Sequence, residues 1–180
     1  MLFGGGFQGL FYRVNCLSDY EEYSEEKQRF LFNMLRNDIT ILTPYARPRK
    51  DSYNTFLSPD EAYAWLLNAL CYVTPDLAIG FSAGSLQIAL NIDKLFNSEV
   101  KIILLSYANP INVTIKPWLN PTLLVSGIDD PYLKYAEDLA SKLPNVTFEK
   151  IQSGHDVFIS DDLIPIILKW LEKKGKEKKG

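Results

Sequence analysis

A chain of 180 residues with 47% hydrophobic and 13% aromatic content has enough apolar surface for one well-packed core, so residues 1–172 are read as a single domain. Its formal charge of −3 excludes the basic footprint that nucleic-acid binding requires. No apolar run approaches the roughly 18 residues needed to span a membrane. The two cysteines, Cys16 and Cys71, are too few for a disulfide framework. Met1-Leu2-Phe3 runs straight into glycines without a leader pattern, so the expectation is a soluble, cytoplasmic protein of open oligomeric state.

In chain order, Met1-Leu2-Phe3 predicts a very short first strand, followed by a glycine-rich loop from Gly4 to Gly9. A helix is predicted over 23–37, with Phe30, Leu31, Met34 and Leu35 on one face and its glutamates early, where they suit the helix dipole. Residues 38–43 read as a second strand. The connection over 44–57 carries Arg47, Arg49 and Lys50; it reads as a solvated loop, with selection of an anionic substrate as the alternative. Ser58-Pro59-Asp60-Glu61 forms a capping box with proline at the first helical position, opening a helix that runs to about Tyr72. The remaining elements are a strand over 76–81, a helix over 83–96, strands over 100–106 and 121–126, a helix over 131–143, a strand over 146–151 and a helix over 161–173. The lysine-rich residues 173–180 read as a basic, disordered tail. Strands such as Lys101-Ile102-Ile103-Leu104-Leu105 are apolar in succession, as required when helices cover both faces of a sheet. The fold class is therefore α/β, a three-layer α/β/α sandwich around a mostly parallel sheet of about six strands.

The residues able to carry chemistry fall at the carboxyl ends of these strands, where open parallel sheets bind ligands. Gly80-Phe81-Ser82-Ala83-Gly84 joins a strand directly to a helix. A turn that tight holds the serine in a strained conformation at its tip, with the hydroxyl exposed and a helix N-terminus behind it. Ser82 thus reads as a nucleophile, the plainer alternative being a helix N-cap. An activated serine needs a base, and the chain has a single histidine, His155, in Ser153-Gly154-His155-Asp156. The base in turn needs an acid to fix its tautomer. Asp129 and Asp130 both qualify, in Gly127-Ile128-Asp129-Asp130-Pro131 after the fifth strand, although Asp130 is equally placed to cap the next helix. Asp156, adjacent to the histidine in sequence, is poorly placed to orient its ring. One histidine rules out a multi-histidine metal site, and neither metal nor cofactor is expected. Gly4, Gly6 and Gly9 match G-x-G-x-x-G, but no helix opens immediately and Asp38 precedes its strand, which makes nucleotide binding a minor alternative.

In its G-x-S-x-G turn and its order of serine, aspartate and histidine, the chain resembles the α/β-hydrolase superfamily over nearly all its length. That resemblance implies a triad of Ser82, Asp130 and His155. Gly127 and Asp130 match the family's G-x-x-D pattern after a strand written Pro-Thr-Leu-Leu-Val, leaving Asp129 in reserve, and Gly154 precedes the histidine as it often does. It also implies an oxyanion hole made by the N–H of Ala83 and a second loop. Phe3-Gly4-Gly5-Gly6-Phe7-Gln8-Gly9 is similar to the His-Gly-Gly-Gly-Phe loop of esterases related to hormone-sensitive lipase, so Gly5 and Gly6 supply that loop's donors; Phe3 stands where the motif has histidine. The sequence starts at the glycine-loop strand, without the family's first two strands, and only residues 108–120 lie where a lid is often inserted. A small, lidless serine hydrolase of carboxylesterase type is implied, acting on a small-molecule ester or thioester. The rival is a non-catalytic interaction protein on the same scaffold.

Overall fold

Five apolar segments line up as one sheet in which every neighbouring pair is parallel. The computed structural model describes residues 2–3, 13–14, 20–21, 25–37, 39, 64, 67 and 75–179. Its strands are β1 (Leu2–Phe3), β2 (Arg13–Val14), β3 (Tyr20–Glu21), β4 (Leu77–Phe81), β5 (Lys101–Leu105), β6 (Thr122–Gly127) and β7 (Val146–Ile151). The helices are α1 (Glu25–Arg36), α2 (Ala83–Leu95), α3 (Leu133–Lys142) and α4 (Leu163–Lys179). The main sheet runs β1-β4-β5-β6-β7, and β2 pairs with β3 in a separate antiparallel ribbon.

Side chains alternate across the strands and divide the core in two. On one face Ala78, Ile102, Leu104 and Leu124 pack with Leu86, Ile88, Ala89 and Ile92 of α2 and with Ala136 and Leu139 of α3. On the other, Ile79, Ile103, Leu105, Leu123 and Val125 meet Phe30 and Met34 of α1 and Leu163, Ile167 and Trp170 of α4. This is the expected three-layer arrangement, and the central strands β5 and β6 are buried almost throughout. β7 lies at the end of the sheet order and leaves Glu149 and Lys150 exposed, which suits an edge.

The elements predicted from residue 76 onward are all present, with ends shifted by one or two residues. An exception is α4, which continues past the expected end at Lys173 to Lys179. Only Gly175 interrupts a run of good helix formers there, and lysines favour a helix C-terminus. Pro165 sits in the first turn of α4, where a missing N–H costs nothing. The β2–β3 ribbon was not predicted, because two residues per strand show no alternation to read. The glycine loop 4–9, the second strand over 38–43, the basic connection 44–57 and both cysteines lie outside the described residues. Of the helix predicted over 58–72, Ala64 and Leu67 are described, and both are helical. Residues 107–121 do not project as a lid: Tyr107, Ala108, Trp118 and Asn120 are buried, and Val113 and Ile115 pack on the core. Among the described residues, no helix is long and apolar enough to cross a membrane.

Candidate active site

The turn between β4 and α2 is as tight as its glycines imply. A Cβ on Gly80 would lie 2.6 Å from the Cα of Ser85, so only glycine lets α2 fold back this closely over its strand. Ser82 at the tip has φ 54 and ψ −119, outside the regions that side-chain-bearing residues favour. Its N–H donates to the carbonyl of Leu105 at 2.9 Å, and its own carbonyl accepts from the N–H groups of Ser85 and Leu86 and from Oγ of Ser85. The Ser82 hydroxyl makes no capping bond to α2, so the N-cap alternative does not account for it. Instead Oγ lies 2.7 Å from Nε2 of His155.

His155 reaches that position because two loops are sewn together at the ends of β6 and β7. The N–H groups of Ile128 and Asp129 donate to the carbonyls of Ile151 and Ser153 at 2.9 and 3.0 Å. A Cβ on Gly127 would lie 2.1 Å from the carbonyl oxygen of Gly154 and 2.2 Å from that of Ser153. The glycine of the G-x-x-D pattern is therefore demanded by contact with the histidine loop. Asp156 caps the 3-10 turn Val157–Ile159 by accepting from the N–H of Phe158 at 3.1 Å, so it takes no part in orienting the ring beside it.

Tyr132, not Asp130, is the residue at the N-cap of α3, and the Asp130 carboxyl group divides its two oxygens between the turn before that helix and the histidine. Oδ2 lies 2.9 Å from Nδ1 of His155, while Oδ1 accepts the N–H of Tyr132 at 2.8 Å in an Asx turn leading into α3. The Asp130 side chain is fully buried and the imidazole 31% exposed, so the carboxyl group is enclosed while the ring faces outward. A buried carboxylate needs partners for both oxygens, and here each has one. As a carboxylate Asp130 only accepts, which puts the proton on Nδ1 and leaves Nε2 as the acceptor for the Ser82 hydroxyl. Asp129 is exposed and accepts instead from Nε2 of Gln152 at 2.8 Å.

Two aromatic rings flank the imidazole: Phe81, centroid 5.5 Å away, and Tyr132, 5.3 Å away in an edge-on arrangement. Phe81 is backed by Phe158 and that ring by Phe30 of α1, all in edge-to-face contact. The sequence reading missed these rings, and it missed Ser106, whose Oγ donates to the His155 carbonyl at 2.5 Å. The only signal for Ser106 was its place after an apolar strand, the same place Ser82 occupies. Ala83 is the first residue of α2, and the opening N–H groups of a helix have no intrahelical acceptor. β1 ends with Phe3 in register with Gly80, two residues before Ser82 on the adjoining strand. Gly5 and Gly6 themselves, and Arg47, Arg49 and Lys50, lie outside the described residues. Among the described residues no group of three or more His, Cys, Asp or Glu is placed to hold a metal ion.

A parallel sheet with a strained serine between strand and helix, and an aspartate and histidine on the next loops, is the architecture of the α/β-hydrolase fold. The chain has that fold. Its backbone is similar to that of a predicted CIB-like hydrolase from Thermoplasma acidophilum, with TM-score 0.67 and 18% identity over 96% of this chain and 84% of that one. It is also similar to a carboxylesterase from Mesorhizobium loti (TM-score 0.60, 18% identity, 95% and 86% of the two chains). MenH from S. aureus is a third (TM-score 0.62, 13% identity, 84% and 90%). No protein-family model matches the chain, and no curated protein matches it in sequence.

Proposed function

We propose that this protein is a serine hydrolase that cleaves carboxylic esters, with thioesters open to the same machinery, through an acyl-enzyme on Ser82. The observation that carries the reading is the unbroken chain of short contacts, 2.7 Å from Ser82 Oγ to His155 Nε2 and 2.9 Å from His155 Nδ1 to Asp130 Oδ2. Ser82 Oγ attacks the ester carbonyl carbon while His155 Nε2 takes its proton, and Asp130 stabilises the imidazolium that results. The oxyanion is met by the N–H of Ala83 and by the loop after β1, to which we assign Gly5 and Gly6; the register of Phe3 beside Gly80 supports that assignment. Collapse of the tetrahedral intermediate expels the alcohol, which receives the proton from His155. Water, deprotonated by the same histidine, then attacks the acyl-enzyme and releases the acid and free Ser82. No step calls for a metal or a cofactor.

Similarity in fold to a carboxylesterase agrees with this reading without carrying it, because one fold hosts many chemistries. Turnover of p-nitrophenyl acetate tests it. The wild-type chain is expected to release p-nitrophenol, with a burst if deacylation is slow, and Ser82→Ala and His155→Ala are each expected to abolish release. A wild-type rate no greater than that of the two variants would favour the non-catalytic scaffold instead.

A further inference from the structure

We propose that Ser106 is a positioning residue for His155, its hydroxyl holding the main-chain carbonyl of the histidine so that the imidazole is presented to Ser82; this rests on the serine-hydrolase reading. Three non-glycine residues among those described have positive φ: Ser82 at 54, Ser106 at 49 and Asn112 at 51. Asparagine is at home in that region, whereas serine is not. The two serines occupy equivalent places. Phe81 and Leu105 are register partners on β4 and β5, and Ser82 and Ser106 are the residues immediately after them. The N–H of Ser82 donates across the sheet to Leu105, and the N–H of Ser106 donates to Val125 in the same manner, at 2.9 and 2.8 Å.

Both hydroxyls converge on one residue. Ser82 Oγ meets the imidazole of His155, and Ser106 Oγ donates to its carbonyl at 2.5 Å. Ser106 is fully buried, so its hydroxyl is not spent on solvent, and the left-handed backbone sets the direction from which it reaches the loop. His155 sits in a connection between β7 and the 3-10 turn, and connections are mobile unless tied down. The loop after β6 ties it at Ser153, through the N–H of Asp129. Ser106 ties the main chain of the histidine itself, from the end of a different strand. A histidine whose main chain is free to move samples positions in which the imidazole contacts to both Ser82 and Asp130 are lengthened.

The single histidine gives this proposal a spectroscopic test independent of ester turnover, since every imidazole signal in the full chain belongs to His155. The probes are the wild type, Ser106→Gly, which adopts the left-handed conformation without strain, and Ser106→Ala, each labelled with 15N-histidine. Both variants are expected to broaden or lose the hydrogen-bonded imidazole N–H resonance of the wild type. They are also expected to lower kcat for p-nitrophenyl acetate about 10- to 100-fold with KM little changed, while Ser106→Gly remains folded at the assay temperature. An unchanged imidazole spectrum and unchanged kcat in both variants overturns the proposal. So does a loss of rate that follows the folded fraction, measured by circular dichroism, with the imidazole spectrum of the folded molecules unaltered. Absence of turnover in the wild type would overturn the hydrolase reading instead, and the imidazole spectra would still decide whether Ser106 holds His155.

Discussion

Asp130 serves two neighbours with one carboxyl group, and this makes it separable by substitution from Asp129. Asp130→Asn keeps an oxygen for the N–H of Tyr132 but replaces the acceptor facing Nδ1 or forces the wrong imidazole tautomer. The expected loss in kcat for p-nitrophenyl acetate is about 10³- to 10⁴-fold, the size seen when a triad acid is made neutral. Asp129→Asn, which touches only an exposed hydrogen bond to Gln152, is expected to stay within about threefold of wild type. The reverse ranking in steady-state kinetics would move the acid to Asp129. From the sequence the two aspartates were distinguished only through a resemblance to a motif. In the fold they are distinguished by burial and direction: one side chain is enclosed against the imidazole and the other points to solvent.

The elements matter through how closely they cross. Gly127 ends β6 against the carbonyls of Ser153 and Gly154, and a methyl group there would overlap main-chain atoms that have no flexible end to move aside. Gly127→Ala is expected to cost about 2–3 kcal/mol or more in urea denaturation and to reduce ester turnover in the molecules that remain folded, because relief of the overlap pushes the histidine loop away from Asp130. Retention of both stability and rate would show that the two loops are not locked together as described. Most of these elements were legible beforehand. The apolar runs of β4, β5 and β6 and the turn glycines are local signals, and they put Ser82, Asp130 and His155 at one sheet edge without coordinates. What was not legible is set by distant partners. The glycine at 127 answers to residues 153 and 154, the rings of Phe81 and Tyr132 find His155 only in three dimensions, and Ser106 carries no glycine pattern to announce its backbone.

At the scale of the whole molecule, a buried phenol in the half-core packed by α2 and α3 makes stability fall in alkali. Tyr107, buried beside the segment that follows β5, has its phenol pushed well above the ordinary value of 10.0, first by burial and then by the negative charge of Asp138. In the unfolded chain that phenol ionises near pH 10, so above this pH the unfolded state binds fewer protons than the native state and stability falls as pH rises. Thermal unfolding at pH 8 and pH 11 is expected to show a steeper loss for wild type than for Tyr107→Phe; equal losses would contradict the buried phenol. The proposed chemistry rests on the pairing of Ser82 with the chain's only histidine. It is tested most directly by treating the folded protein with a fluorophosphonate and locating the adduct by mass spectrometry. The expected result is one adduct, on Ser82, that disappears in His155→Ala. A folded wild-type protein that stays unlabelled, or labels on another residue, would contradict it.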